Sequence, residues 1–162
     1  MAKVLITGMS GTGKSTALRA LAARGHRTVD TDTDEWRRWS ALPDGSRDWI
    51  WREEAMTALL DGHDDGHLFV AGCKSNQGVF YPRFDEVVLL SAPADVILAR
   101  VAARTTNPYG KSPQERADIL ANLAAVEPLL RATATAEIDA TAPVEAVVEQ
   151  VEKIAASGAA RR

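Results

Sequence analysis

Residues 8–16, Gly8-Met9-Ser10-Gly11-Thr12-Gly13-Lys14-Ser15-Thr16, carry a glycine, four further residues and then Gly-Lys-Ser. That spacing suits one task, the cradling of phosphate. Glycines at Gly8, Gly11 and Gly13 let the backbone turn so that several N–H groups aim at one anion. Lys14 sets a positive charge against the β- and γ-phosphates of a nucleotide, and the Ser15 hydroxyl is offered to Mg²⁺. A helix starting at Lys14 adds its positive N-terminal end. A glycine-rich turn with no ligand is the bland alternative. The stretch lies between an apolar run and a run of helix formers, the context the phosphate-binding form requires.

Two further groups could serve the same chemistry. "VDTDTDEW" (29–36) places acids at 30, 32 and 34. Extended residues two apart point the same way, so Asp30 and Asp32 project together toward the loop. A carboxylate there holds Mg²⁺ water or accepts the proton of an attacking hydroxyl. Asp34 and Glu35 are expected in the first turn of a following helix, where anions suit the dipole. The alternative is a solvated acidic turn. "ILARVAARTTNPYGKSP" (97–113) carries Arg100 and Arg104 four apart, on one helix face, and then Lys111. Its turn formers read as a flap over about 104–113. Arginines at the base of a flap stabilise charge on a moving phosphoryl group while the flap excludes water. Arg104, with Lys111 or Arg131, is assigned that task; a solvated basic helix end is the alternative.

The elements that must position these groups can be read from the pattern. "KVLIT" (3–7), "RTVD" (27–30), "HLFVAG" (67–72), "EVVLLS" (86–91) and "AEID" (136–139) read as strands. Helices are expected over 14–24 and about 47–61, 94–104, 113–134 and 143–156. Gly25 suits a helix C-terminus, and "SPQE" (112–115) is a capping box with proline in the first turn. Strands alternating with helices predict an α/β fold, a parallel five-stranded sheet with helices on both faces. Ligands in such sheets sit at the carboxyl ends of the strands, where residues 8–15, Asp30, Asp32 and Gly72 all fall.

Composition limits the alternatives. At 162 residues the chain fits one domain, here drawn as 1–156 with a flexible tail over 157–162. A 46% apolar and 25% charged content is that of a soluble globular protein. A net charge of −3 provides no global field for nucleic acid or an anionic membrane. No apolar run approaches a membrane span or a secretion signal. One cysteine, Cys73, makes no internal disulfide. These features favour a cytoplasmic protein and say nothing of its oligomeric state. "HDDGH" (63–67) offers metal-ligand types, but Gly62 and Gly66 mark a turn there and no further ligand is evident.

Taken together, the loop, the D-x-D at 30–32, the glycine at 72 and R-x-x-x-R before a flap resemble the small P-loop kinases that phosphorylate nucleosides and metabolites, the adenylate, shikimate and gluconate kinases among them. The resemblance covers about residues 3–150. Its closest local match is to shikimate kinases, through Asp30-Thr31-Asp32, "WREEA" and "VEPLLRATATAEID". It implies a nucleoside-monophosphate-kinase-like fold, ATP and Mg²⁺ as cofactors, and nucleotide contacts from Gly8, Ser10–Thr16 and Arg100, the last against adenine. It also implies Arg104 on the phosphates, Asp30 and Ser15 on the metal, Asp32 on the acceptor hydroxyl, and Arg52 and Gly72 at the acceptor. Val126 stands where shikimate kinases have an acceptor-binding arginine, which argues against shikimate itself. Trp36, Trp39, Trp49 and Trp51 either line an acceptor pocket or pack core and lid; Lys74, Asn76 and Gln77 fall where an acceptor would lie. The expected activity is ATP-dependent transfer of a phosphoryl group to a hydroxyl or phosphate of a small metabolite, nucleoside or nucleotide. An ATP-binding accessory protein with slow hydrolysis and a kinase of nucleic-acid ends are the alternatives.

Overall fold

A computed structural model describes residues 1–105 and 109–160. The chain runs β1 (Lys3–Thr7), α1 (Lys14–Ala23), β2 (Arg27–Asp30), β3 (Arg37–Ala41), β4 (Arg47–Trp51), α2 (Glu53–Gly62), β5 (Leu68–Ala71), a 3-10 helix (Gln77–Arg83), β6 (Glu86–Ser91), α3 (Ala94–Ala103), α4 (Pro113–Thr133), β7 (Ala136–Asp139) and α5 (Val144–Ala160). Five strands make one parallel sheet in the order β2-β5-β1-β6-β7; β3 and β4 form a separate two-stranded antiparallel sheet.

The three central strands, β1, β5 and β6, are mostly apolar and buried because both their faces are covered, whereas the edge strands β2 and β7 carry charged, partly exposed residues. Alternate residues of β1 enter different cores. Val4 and Ile6 pack with Leu18 and Leu21 of α1 and Val148 and Val151 of α5. Leu5 packs on the other side with Met56 and Leu60 of α2, Trp51 and Phe80. Each such fully buried Leu, Ile or Phe contributes roughly 1.5–3 kcal/mol. The register aligns the strands' carboxyl ends: Ile6 pairs with Ala71, and Asp30 pairs with Ala71 from the other side.

Helix ends follow local chemistry. At the end of α1 the Gly25 N–H donates to Ala22 and the His26 N–H to Leu21, with Gly25 left-handed at φ +90°, a Schellman stop. At the start of α4 the Ser112 hydroxyl accepts from the Glu115 N–H and Glu115 answers the Ser112 N–H, so the expected capping box is present. α5 continues to Ala160, so residues 157–160 of the expected tail are helical. The expected flap at 104–113 includes residues 106–108, which lie outside the described residues.

The largest difference from the sequence reading lies in 34–51. Residues 47–51, expected to begin a helix, form β4; the helix proper starts at Glu53. Asp34 and Glu35 sit in a turn, not in a helical first turn. The reason is legible afterwards. "RDWIW" is rich in aromatic and β-branched residues, and Asp44-Gly45 is a hairpin turn signal, with Gly45 at φ +86°. Trp51 ends the hairpin fully buried and donates its indole N–H to Thr31 Oγ1 at 2.8 Å.

Candidate functional site

The loop between β1 and α1 is held from within. Thr12 is buried, and both its N–H and its hydroxyl return to the Met9 carbonyl, at 3.3 and 2.9 Å. Gly11 takes φ +89°, and a Cβ there would fall 2.9 Å from Val101 Cγ2 of α3. Only glycine allows the loop and α3 this approach. The Lys14 ammonium donates to the carbonyls of Gly8 at 2.6 Å and Met9 at 3.1 Å. Burial holds its pKa below the ordinary lysine value, and the Lys74 charge adds to that, while Cys73, Asp32 and Asp30 oppose it.

Around the loop opens a cleft of about 710 Å³. Its lining takes residues 8–17, Asp30 at the end of β2 and Asp32 just beyond it, Gly72, Cys73 and Lys74 after β5, and Arg100 and Arg104 from the end of α3. Ala140, Ala142, Val144 and Val147 add an apolar stretch where β7 meets α5. Lys14, Arg19, Lys74, Arg100 and Arg104 line it against the carboxylates Asp30 and Asp32. In a chain of net charge −3 this is a local cationic focus, suited to a polyanion.

The two carboxylates stand in different surroundings. Asp30 Oδ2 accepts from the Ser15 hydroxyl at 3.1 Å, and Oδ1 accepts the Asp32 N–H at 3.0 Å. A hydroxyl and a carboxylate side by side are hard oxygen donors, which suit Mg²⁺. Asp32 Oδ1 receives Lys74 Nζ at 3.1 Å and Arg37 Nη1 at 3.0 Å. Partial burial alone would raise the Asp32 pKa; Lys74 first and Arg37 second bring it below the usual carboxylate value.

Arg100 donates to the carbonyls of Ala140 at 2.5 Å and Thr12 at 3.5 Å. Arg104, the C-cap of α3, donates to Ser10 Oγ at 3.2 Å and to the Tyr109 carbonyl at 3.0 Å. The last turn of α3 is thereby tied to the loop. Gly72 sits where its backbone nearly touches the Thr31 side chain; a Cβ would fall 2.1 Å from Thr31 Oγ1.

Other expected residues fall elsewhere. Arg52 is the N-cap residue just before α2, its guanidinium 3.5 Å from the Asp34 carbonyl and outside the cleft lining. Arg131 is engaged by Glu127 and Glu137. Lys111 is exposed and does not line the cleft. None of the four tryptophans lines it either: Trp51 belongs to the core, Trp36 packs on that core, and Trp39 stacks on Trp49. Asn76 and Gln77 serve structure. Asn76 accepts the Trp51 N–H and donates to its carbonyl, and Gln77 donates to Thr7 Oγ1 and Tyr81 Oη. In "HDDGH", His63 accepts from Arg27 and donates to the Gly66 carbonyl, and His67 accepts the Ala2 N–H. Among the described residues no three or more His, Cys, Asp or Glu gather as metal ligands.

Sequence reasoning missed Arg37 as a site residue and left Lys74 without a role. Lys74 carried a signal, since it follows a strand end by three residues. Arg37 carried none while the hairpin went unread.

The sheet order, the phosphate-type loop and the carboxylates at the strand ends together define a P-loop α/β protein. More particularly, the chain matches the AAA_18 family, described as an AAA domain, over residues 4–121 and belongs to that family. No curated protein matches it. Among solved structures it is similar to shikimate kinase from Acinetobacter baumannii in complex with shikimate, at 18% identity and TM-score 0.67, covering 97% of this chain and 94% of that one. It is also similar to a gluconokinase from Sinorhizobium meliloti 1021, at 19% identity and TM-score 0.60, with 99% and 92% covered. A sugar kinase from Janibacter sp. HTCC2649 matches at 22% identity and TM-score 0.57, with 98% of each chain covered. At these identities the likeness is one of fold, the P-loop kinase fold. No described helix is long and apolar enough to cross a membrane.

Proposed function

We propose that the protein is an ATP-dependent kinase that transfers the γ-phosphoryl group to a hydroxyl or phosphate of a small metabolite, nucleoside or nucleotide. The observation that carries this reading is Asp32, lining the same cleft as Lys14 and held by Lys74 and Arg37 through Oδ1. A second, cation-braced carboxylate beside the phosphates is placed to orient an acceptor hydroxyl, which the kinase reading requires. The fold of the kinases it resembles is consistent with that use.

In this reading the loop amides and Lys14 hold the β- and γ-phosphates. The apolar stretch at Ala140, Ala142 and Val144, with Arg100 nearby, receives the base. Ser15 and Asp30 would hold Mg²⁺, which would offset charge on the phosphates. Asp32 Oδ2 orients the acceptor hydroxyl, Oδ1 being already engaged. The acceptor oxygen bonds to the γ-phosphorus as the bond to the β–γ bridging oxygen breaks, and the hydroxyl proton passes by way of Asp32 Oδ2 to solvent water. With its pKa held low, Asp32 acts more by orienting that hydroxyl than by keeping its proton. Arg104 balances charge on the transferred group.

The test is ATP turnover across hydroxy acids, sugars, nucleosides, nucleotides and an oligonucleotide with a free 5′-hydroxyl. At least one acceptor should raise turnover well above the rate with water, and Asp32→Asn should abolish that rise while leaving ATP binding intact. Turnover that stays flat across the panel would favour the accessory reading.

A further inference from the structure

We propose that the β3–β4 hairpin is a positioning device for Asp32, acting through the Arg37 guanidinium, which the Trp49 ring holds against the carboxylate. The role of Asp32 is taken from the kinase reading above; the geometry that carries the proposal is independent of it.

The side chains on one face of the hairpin form four layers. Arg37 lies over the Trp49 ring at 4.1 Å, Trp49 stacks on Trp39 with centroids 3.7 Å apart and planes 24° apart, and Arg47 lies over Trp39 at 5.1 Å. The layers alternate between strands because Trp39 pairs directly with Trp49, while the arginines sit diagonally across. A two-stranded sheet alone is marginal in water. Here aromatic stacking and two cation–π contacts add to it.

Both strands are also tied to the segments that carry the site. The Trp51 backbone is clamped by Asn76, and Asp48 accepts from the Ser75 hydroxyl at 2.8 Å. Those partners follow Lys74 directly. From the other strand, Arg37 donates to Asp32 at 3.0 Å and to Asp34 Oδ1 at 3.3 Å. A guanidinium held over an indole face and bonded to two carboxylates has few orientations left, so the ring limits where its N–H groups point. Lys74 and Arg37 converge on one Asp32 oxygen, and this convergence decides which oxygen is presented to the cleft. The charged groups around Asp32 are Lys74 after β5, Arg37 of β3, Asp34 through Arg37, Asp30 of β2, and Lys14 of α1. Arg37 is a positioning residue: the hairpin conformation reaches the carboxylate through it.

The proposal is tested without any acceptor. The Asp32 carboxyl carbon, assigned by its loss in Asp32→Asn, is followed by ¹³C NMR at one fixed neutral pH in wild type, Arg37→Gln, Trp49→Phe and Trp49→Leu, with circular dichroism reporting folding. Arg37→Gln should shift that resonance. Trp49→Leu, which fills space without a ring face, should shift it in the same direction, and Trp49→Phe should stay near wild type. Exchange of the Arg37 Nε–H at the same pH should be slow in wild type and Trp49→Phe and fast in Trp49→Leu. A folded Arg37→Gln with the wild-type resonance, or a folded Trp49→Leu with wild-type resonance and exchange, overturns the proposal. A flat acceptor panel would end the kinase reading and leave these readouts untouched.

Discussion

Lys14 donates to the carbonyls of its own loop, at Gly8 and Met9, and its pKa is lowered by burial. A bound polyphosphate would replace those carbonyls with formal negative charge and restore the ammonium's preference for the charged form. Replacing Lys14 by alanine removes a charge-assisted contact of about 1.5–3 kcal/mol. Calorimetry with Mg·ATP should then show affinity falling by roughly ten- to a hundredfold. An unchanged affinity would mean that the loop does not take the phosphates. Asp32→Asn should separate the two halves of the site, since it leaves this loop untouched. Of the residues at this site, the loop and the Asp pair were legible because each is a short-range pattern. The contacts of Lys74 and Arg37 with Asp32 were not: Lys74 lies 42 positions away and meets it only across the folded sheet edge, and Arg37 reaches it only from a hairpin the sequence had not disclosed.

The hairpin and the strand ends are joined at Gly72. Thr31 Oγ1 donates to the Ala71 carbonyl at 2.7 Å and accepts from the Trp51 indole at 2.8 Å, and the Gly72 Cα stands against it. Alanine at Gly72 would drive a methyl into Thr31 and part Trp51 from its acceptor. Overpacking of this kind costs roughly 1–3 kcal/mol. Thermal unfolding of Gly72→Ala should fall by several degrees, and nucleotide affinity should change far less, because the loop after β1 is braced by α3 instead. A variant with the wild-type melting temperature would show that Thr31 yields freely. The glycine was singled out from its place after a strand. Its packing reason was hidden, since Thr31 and Trp51 reach it from elements whose pairing the sequence did not reveal.

Across the whole molecule, the end of the sheet opposite the cleft carries a contact expected to weaken in mild acid. Burial first, then the amino terminus and His26, hold the His67 imidazole below its ordinary value of 6.5. Its Nδ1 accepts the Ala2 N–H at 3.0 Å, a bond that protonation there destroys. The folded state prefers the neutral ring, so its contribution is in place above about 6.5 and is lost as pH falls below that value. Glu137 and Glu152, held low by Arg131 and His26 respectively, lose theirs only below the usual glutamate value of 4.5. Denaturant midpoints measured from pH 7.5 to 5 should therefore decline through the upper window, and His67→Gln should flatten that decline. An identical slope in the variant would assign the effect elsewhere.

What the sequence determined alone was whatever depends on neighbours a few positions apart. Such are the phosphate-type loop, the five parallel strands, the Schellman stop at Gly25 and the capping box at Ser112, since turns, caps and periodicity are local physics. The tertiary structure decided which side chains meet across those elements. It placed Lys74 and Arg37 on Asp32, turned Arg131 to Glu137, and left Arg52 outside the cleft lining. It also drew 47–51 into a strand, because a partner at 37–41 and a buried site for Trp51 outweigh the helix propensity of the residues that follow.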